Sequence, residues 1–192
     1  MPYRKKEFYP GGYYHIFNRG INRGKIFFST ENYNYCLRLI EKYTELFNIS
    51  VIAFCLMPNH YHLLLRQNSE KNISDLMQLV FNAYVQAVNR KMGRKGTLFE
   101  GRFKHIQIDK ENYVLHLCRY IHLNPVRAKL VKFPEDWLFS NYQEWIGKRN
   151  SQLVDPGFIA AYFSNAREYQ KFVMDYRSEK EIKDTIGKYL LE

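Results

Sequence analysis

The sequence predicts an α+β fold: an antiparallel sheet with helices packed on one face, plus a helical appendage at the C-terminal end. Three observations carry this. Four short runs, 13–18, 49–57, 60–66 and 103–108, concentrate or alternate β-branched and aromatic residues. Three segments between and after them, 31–47, 72–92 and about 110–123, repeat apolar residues at helical spacing. The order is therefore β-α-β-β-α-β-α, and its first six elements match the split βαβ, ferredoxin-like arrangement.

Each element has a local reason. Gly11-Gly12 opens the first strand, Tyr13 to Asn18, and Asn18-Arg19-Gly20 and Asn22-Arg23-Gly24 are turn material. Thr30 caps a helix whose apolar positions are Cys36, Leu37, Ile40, Tyr43, Leu46 and Phe47. Ile49 to Met57 reads as a buried strand; Pro58-Asn59 breaks it, and His60 to Arg66 returns as the second arm of a hairpin. Ile73, Leu76, Met77, Val80, Tyr84 and Val88 line one side of the second helix, and a basic Gly-containing loop follows at 93–101. The third helix is expected to stop before Pro125, because the residue preceding proline disfavours helical backbone. Pro156-Gly157 marks a joint. Beyond it Phe158, Ile159, Tyr162, Phe163, Tyr169, Phe172, Val173 and Tyr176 suggest one or two more helices. The expected division is a main unit over 1–149 and a helical extension over 150–192.

Charge and rings narrow the function. The chain of 192 residues carries a net charge of +10, and 17% of its residues are aromatic, 16 of them Tyr. Between Arg90 and Lys132 eleven Lys or Arg face three acids, so this stretch alone carries +8. Cations meet phosphates and rings stack on bases, so the pattern suits a nucleic-acid binder. No apolar run approaches the ~18 residues that a membrane span needs. The start, Met1-Pro2-Tyr3-Arg4-Lys5-Lys6, leads into no apolar signal segment. Cys36, Cys55 and Cys118 lack metal-ligand spacing and read as reduced core thiols of a cytoplasmic protein. No phosphate-cradling Gly loop is present, so no nucleotide cofactor is expected.

Two constellations can do chemistry. His60 and His62 stand i, i+2 on a strand, which projects both imidazoles to one face, where they can share a divalent cation. His116, Tyr120 and Asn124 follow at i, i+4 and i+8 on the third helix. A Tyr hydroxyl becomes a nucleophile toward phosphorus when a metal polarises the phosphate.

These stretches carry a family resemblance. Leu56-Met57-Pro58-Asn59-His60-Tyr61-His62-Leu63-Leu64-Leu65 resembles the His-hydrophobic-His signature of single-tyrosine HUH transposases. Arg119-Tyr120-Ile121-His122-Leu123-Asn124-Pro125-Val126-Arg127-Ala128 is similar to their tyrosine-bearing helix. The stretches Gly12 to Gly20 and Asp136 to Tyr142 resemble the REP-associated tyrosine transposase (IS200-like) branch. The resemblance spans about residues 11–146 and does not reach 150–192.

It implies an enzyme that cleaves and rejoins single-stranded, hairpin-containing DNA. His60 and His62 would hold Mg²⁺ or Mn²⁺, with Asn124 as third ligand and His116 as fallback. Tyr120 would attack the scissile phosphate, leaving a 5′-phosphotyrosine link and a free 3′-OH. Arg102, Lys104, Arg119 and Arg127 would hold backbone phosphates, and Arg94 and Lys95 would meet hairpin DNA. Ring nitrogens are not preferred Mg²⁺ ligands, so Mn²⁺ should serve at least as well. The resemblance allows a monomer or a homodimer. Two other readings share the topology: a non-catalytic single-stranded DNA- or RNA-binding module, and a metal-dependent nuclease that uses water.

Overall fold

Four strands form one antiparallel sheet in a computed structural model of the protein: β1 (Tyr13–Arg19), β2 (Ile49–Met57), β3 (His60–Gln67) and β4 (Lys104–Ile108), in the order β2-β3-β1-β4. That order is the ferredoxin-like one. The structure describes residues 8–175 and 186–187. The basic N-terminal hexapeptide, Tyr176 and most of the sequence after it lie outside the described residues.

The two faces of the sheet are covered by different helices. α1 (Thr30–Phe47) and α2 (Ile73–Met92) share one face, packing Cys36, Ile40, Leu76 and Val80 against Ile16, Leu56 and Leu63 of the sheet. Asn72 caps α2, its side chain accepting from the Ser74 N–H, and Gly93 ends it in left-handed backbone at φ 62°. α3 (Glu111–Arg127) lies on the opposite face with Leu117, Cys118 and Ile121 against Ala53, Cys55 and Leu64. Strand alternation explains the division, since Tyr61, Leu63 and Leu65 point to one layer and His62 and Leu64 to the other.

α3 runs past its expected end: it continues through Pro125 to Arg127. Proline sacrifices one helical hydrogen bond, but Leu123, Asn124 and Pro125 are all buried, and their packing holds the last turn. The chain then folds back through α4 (Tyr142–Trp145), α5 (Pro156–Tyr162) and α6 (Ala166–Met174). Phe158, Tyr169 and Val173 join the α3 core, so the described part of the tail is docked on α3.

β2 is an edge strand with an irregularity between Val51 and Ala53. Exposed edges invite unwanted pairing, and the segment before α4 closes this one. The Leu56 N–H donates to the Phe139 carbonyl at 2.8 Å, and the Asn141 N–H to the Phe54 carbonyl at 3.3 Å. Side chains complete the seam. Asn141 accepts from the Phe54 N–H at 2.7 Å and donates to the Ile52 carbonyl at 3.0 Å. The indole N–H groups of Trp137 and Trp145 donate to the carbonyls of Leu56 and Ile52, each at 3.1 Å. The 136–142 stretch thus acts as a strand substitute.

The three cysteines are buried and unpaired. Burial pushes each thiol well up, which leaves them inert. No helix among the described residues is long and apolar enough to cross a membrane.

Candidate active site

The β2–β3 turn positions the first imidazole. Met57 pairs with His60, so Pro58-Asn59 is the whole turn, and His60 begins β3 at the end of the sheet. The Pro58 carbonyl accepts from the N–H groups of Ile26 and Phe27, and the Asn59 carbonyl from Gly20 at 2.8 Å. Gly20 is required there: a Cβ would lie 2.0 Å from the Gly24 carbonyl oxygen. The 97–101 segment clamps the same end, through Ile21 N–H to the Leu98 carbonyl and the Arg19–Glu100 ion pair at 2.6 Å.

His60 and His62 share the α3 face, their rings edge to face with centroids 5.1 Å apart. The Asn59 amide donates to the Arg23 carbonyl, which turns its Oδ1 toward His60 Nδ1 at 2.7 Å. An amide oxygen only accepts, so His60 carries its proton on Nδ1 and leaves Nε2 as a lone pair. His62 Nδ1 lies 2.9 Å from Nε2 of His15, which is fully buried. In the tautomer that donates from His62 Nδ1 to His15, Nε2 of His62 is likewise free. Burial, helped by the charge of Arg19, lowers the pKa of His60 to about 4. Burial, then His15, His60 and Arg127, hold His62 well below the usual histidine range. Both rings are neutral at pH 7, with Nδ1 tied, as metal-ligating histidines are.

α3 brings Tyr120 over this pair. Its ring meets His62 edge to face at 5.6 Å. Arg127 lies over the phenol ring at 5.2 Å. Burial raises the Tyr120 pKa, while Arg127 and a side-chain hydrogen bond with Asn124 pull it back. Asn124 sits one turn on, buried, and its amide donates to the Tyr120 carbonyl at 3.1 Å. Tyr120 and Arg127 are thus brought together with the His62 imidazole, and Asn124 joins them through Tyr120.

Two expected residues are not. Arg119 donates to the Phe172 carbonyl at 3.1 Å and stacks on the Phe172 ring at 4.5 Å. His116 faces Phe172 and lies 2.8 Å from the Arg119 guanidinium. Both side chains are committed to α6.

The remaining basic residues lie at the end of the sheet that holds His60. Arg102 and Lys104 are exposed and line a cavity of about 200 Å³ with Arg19. Arg94 lies over Phe28 at 5.6 Å, and Lys95 is exposed between Gly93 and Gly96.

Two histidines matter that sequence reasoning left without a role at the site. His15 orients His62; its alternation with Phe17 hinted at this face, but the cross-strand register decides it. Buried His122 links α3 to the seam and the tail, with Nε2 2.9 Å from Asn141 Oδ1 and Nδ1 2.5 Å from the Tyr169 hydroxyl. Among the described residues no group of three or more His, Cys, Asp or Glu could hold a metal ion. The donor set fits a divalent cation only with oxygen completing it, and Asn124 is the nearby amide.

Known proteins share parts of this sequence and fold. The family model described as "Transposase IS200 like" matches residues 9–124. A Haemophilus influenzae protein whose name assigns it to the REP-associated tyrosine transposases is 25% identical over 109 residues. That match covers 51% of this chain and 61% of the relative, less than two thirds of its length. A solved REP-associated tyrosine transposase bound to a REP hairpin superposes with a TM-score of 0.64 at 18% identity, covering 81% of this chain and 94% of that one. A crystal structure assigned as a transposase, from Deinococcus radiodurans R1, matches at a TM-score of 0.43 and 16% identity, over 63% of this chain and 95% of that one.

Proposed function

The chain belongs to the IS200-like transposase family, and we propose that it cleaves and rejoins single-stranded DNA flanking a hairpin, through a covalent bond to Tyr120. The observation that carries this is the edge-to-face contact of Tyr120 with His62, whose neighbour His60 presents a second neutral imidazole to the same face. His60, His62 and Asn124 would hold a divalent cation, Mg²⁺ or Mn²⁺, which when bound would supply Lewis-acid polarisation of the scissile phosphate.

The chain's own residues do the rest. The Tyr120 phenol gives up its proton to solvent and attacks phosphorus. A P–O(Tyr120) bond forms as the P–O3′ bond breaks, and the departing oxygen takes a proton as a free 3′-OH. Attack by a 3′-OH on the phosphotyrosine reverses the step and joins strands, so the bond energy is conserved and no nucleotide cofactor is required. Arg127, beside the phenol, favours its anionic form and offers charge to a phosphate. Arg94, Lys95, Arg102 and Lys104 hold DNA backbone at the His60 end of the sheet.

The hairpin bound by the structural relative supports the choice of substrate. The test is to incubate the protein with labelled hairpin DNA carrying single-stranded flanks, with Mn²⁺ or with EDTA. The expected result is an SDS-resistant protein–DNA adduct and a fragment ending in a 3′-OH, both only with Mn²⁺. Metal-dependent cleavage without an adduct would instead show water as nucleophile.

A further inference from the structure

Arg19, read from the sequence as turn material, is the last residue of β1 and pairs directly with His60 across the sheet. Directly opposed residues leave from one face, their Cβ atoms about 4.5–5.5 Å apart. The charge of Arg19 is accordingly felt by His60. The guanidinium is partly buried and framed from two sides. Its Nε donates to Glu100 Oε2 at 2.6 Å, while the Glu100 N–H donates to the Arg19 carbonyl at 3.1 Å. Asn18 completes the frame: its Oδ1 accepts from the Arg19 N–H at 2.9 Å, and its amide donates to the Gly101 carbonyl at 3.0 Å. Among the described residues Glu100 is the one hydrogen-bond partner of the guanidinium, which keeps the donors of its two terminal amino groups. On the β4 side of Arg19 lies the cavity of about 200 Å³. Its cations are Arg19, Arg102 and Lys104, and its one acid, Glu100, is spent on Arg19.

We propose that Arg19 is a catalytic residue: it grips the DNA phosphate next to the scissile one, in this cavity, while the scissile phosphate lies at His60 and His62. This rests on the reading of the chain as a DNA-cleaving enzyme. Glu100 is the positioning residue of Arg19; by taking Nε it fixes the guanidinium plane and keeps the terminal fork for the anion.

Three arguments favour a phosphate here. Strand order sets His60 on β3, Arg19 on β1 and Lys104 on β4 in a row across the sheet, a track that a DNA backbone can follow. The planar fork of Arg matches phosphate oxygens two at a time. A cation beside a metal-binding imidazole also opposes the metal, a cost that an anion seated between them removes. A purely structural clamp needs no such cation. The 97–101 segment is already held by main-chain bonds from Ile21 to Leu98 and from Glu100 to Arg19, and by the Asn18 amide. Holding the neighbouring phosphate fixes the scissile one for attack and offsets the repulsion between them.

The experiment measures single-turnover cleavage of hairpin DNA at saturating Mn²⁺, with each phosphate flanking the scissile one replaced in turn by an uncharged methylphosphonate. For wild type, one replacement next to the scissile phosphate should slow cleavage about 10–100-fold. Arg19→Gln should cleave unmodified DNA slower by a similar factor, and that same replacement should slow it no further. Arg19→Lys, which keeps the charge and loses the fork, should fall between the two; it decides the matter where the Gln variant fails to bind the hairpin. Arg19→Gln combined with Glu100→Gln keeps a hydrogen-bonded pair and should stay as slow as Arg19→Gln. The proposal is overturned if that double variant regains the wild-type rate, which would make the pair a clamp. It is overturned equally if more Mn²⁺ restores Arg19→Gln, if no replacement slows wild type, or if the replacement slows wild type and both Arg19 variants alike. A wild type that cleaves none of these DNAs, the unmodified one included, would overturn the DNA-cleaving reading and this proposal with it.

Discussion

Asn141→Ala should destabilise the protein more than any exposed substitution, although Asn141 lies far from Tyr120 in sequence. Its side chain is fully buried. Its Oδ1 accepts from the Phe54 N–H at 2.7 Å and faces His122 Nε2 at 2.9 Å, and its Nδ2 donates to the Ile52 carbonyl at 3.0 Å. Truncation leaves the Ile52 carbonyl satisfied, because the Trp145 indole still donates to it. The Phe54 N–H and the His122 ring N–H lose their acceptor. Each orphaned buried donor costs about 1–3 kcal/mol, so the pair costs about 2–6 kcal/mol. At roughly 2–4 °C per kcal/mol for a chain of this size, Tm should fall by at least about 4 °C and by up to about 24 °C. Trp145→Phe should lose less through hydrogen bonding, since Asn141 keeps the Ile52 carbonyl paired. Thermal unfolding followed by circular dichroism decides. An Asn141→Ala protein that melts within about 2 °C of wild type would refute the reasoning.

Other outcomes follow from the same geometry. His62→Ala should abolish cleavage while keeping hairpin affinity, and His15→Phe, which unties His62 Nδ1, should raise the Mn²⁺ needed for cleavage about 10–100-fold; in a Mn²⁺ titration of strand cleavage, full cleavage by His62→Ala would count against the first and an unchanged half-saturation of His15→Phe against the second. Neutralising Arg94, Lys95, Arg102 and Lys104 together should flatten the log–log salt dependence of hairpin binding by up to about 0.7–0.9 for each phosphate that is no longer neutralised; an unchanged slope places the DNA elsewhere. Deleting residues 150–192 strips Phe158, Tyr169 and Val173 from α3 and should expose apolar surface seen as aggregation in light scattering; a soluble truncation with unaltered cleavage leaves the tail without a role.

Much of this was legible in the residues because period speaks for itself. Alternation marked the strands, and the i, i+2 spacing of His60 and His62 is enough to put both rings on one face. The expectation that helices pack on one face holds for α1 and α2, whose apolar stripes are continuous, while α3 covers the other face. What periodicity cannot carry is partnership between distant segments. His15 meets His62 only because β1 pairs with β3 in the register that sets Phe17 opposite His62. His122 gains its partners from the 136–142 seam and from α6, 19 and 47 residues away. Pro125 misled for a related reason: a local preference for ending the helix is outweighed by burial of the turn that contains it. Arg119 and His116 share the Tyr120 helix, and α6 determines where their side chains go.

The central claim is that the Tyr120 phenol oxygen forms the bond to DNA. Tyr120→Phe removes that atom and keeps the ring that packs on His62 and under Arg127. The direct measurement is peptide mapping by mass spectrometry of the SDS-resistant adduct formed with hairpin DNA and Mn²⁺, for wild type and Tyr120→Phe side by side. The account predicts a phosphonucleotide on Tyr120 in the wild type, and in the variant no adduct and no strand joining, with hairpin affinity retained. An adduct that persists in Tyr120→Phe, or that maps to Tyr113 or Tyr142 in the wild type, would contradict it.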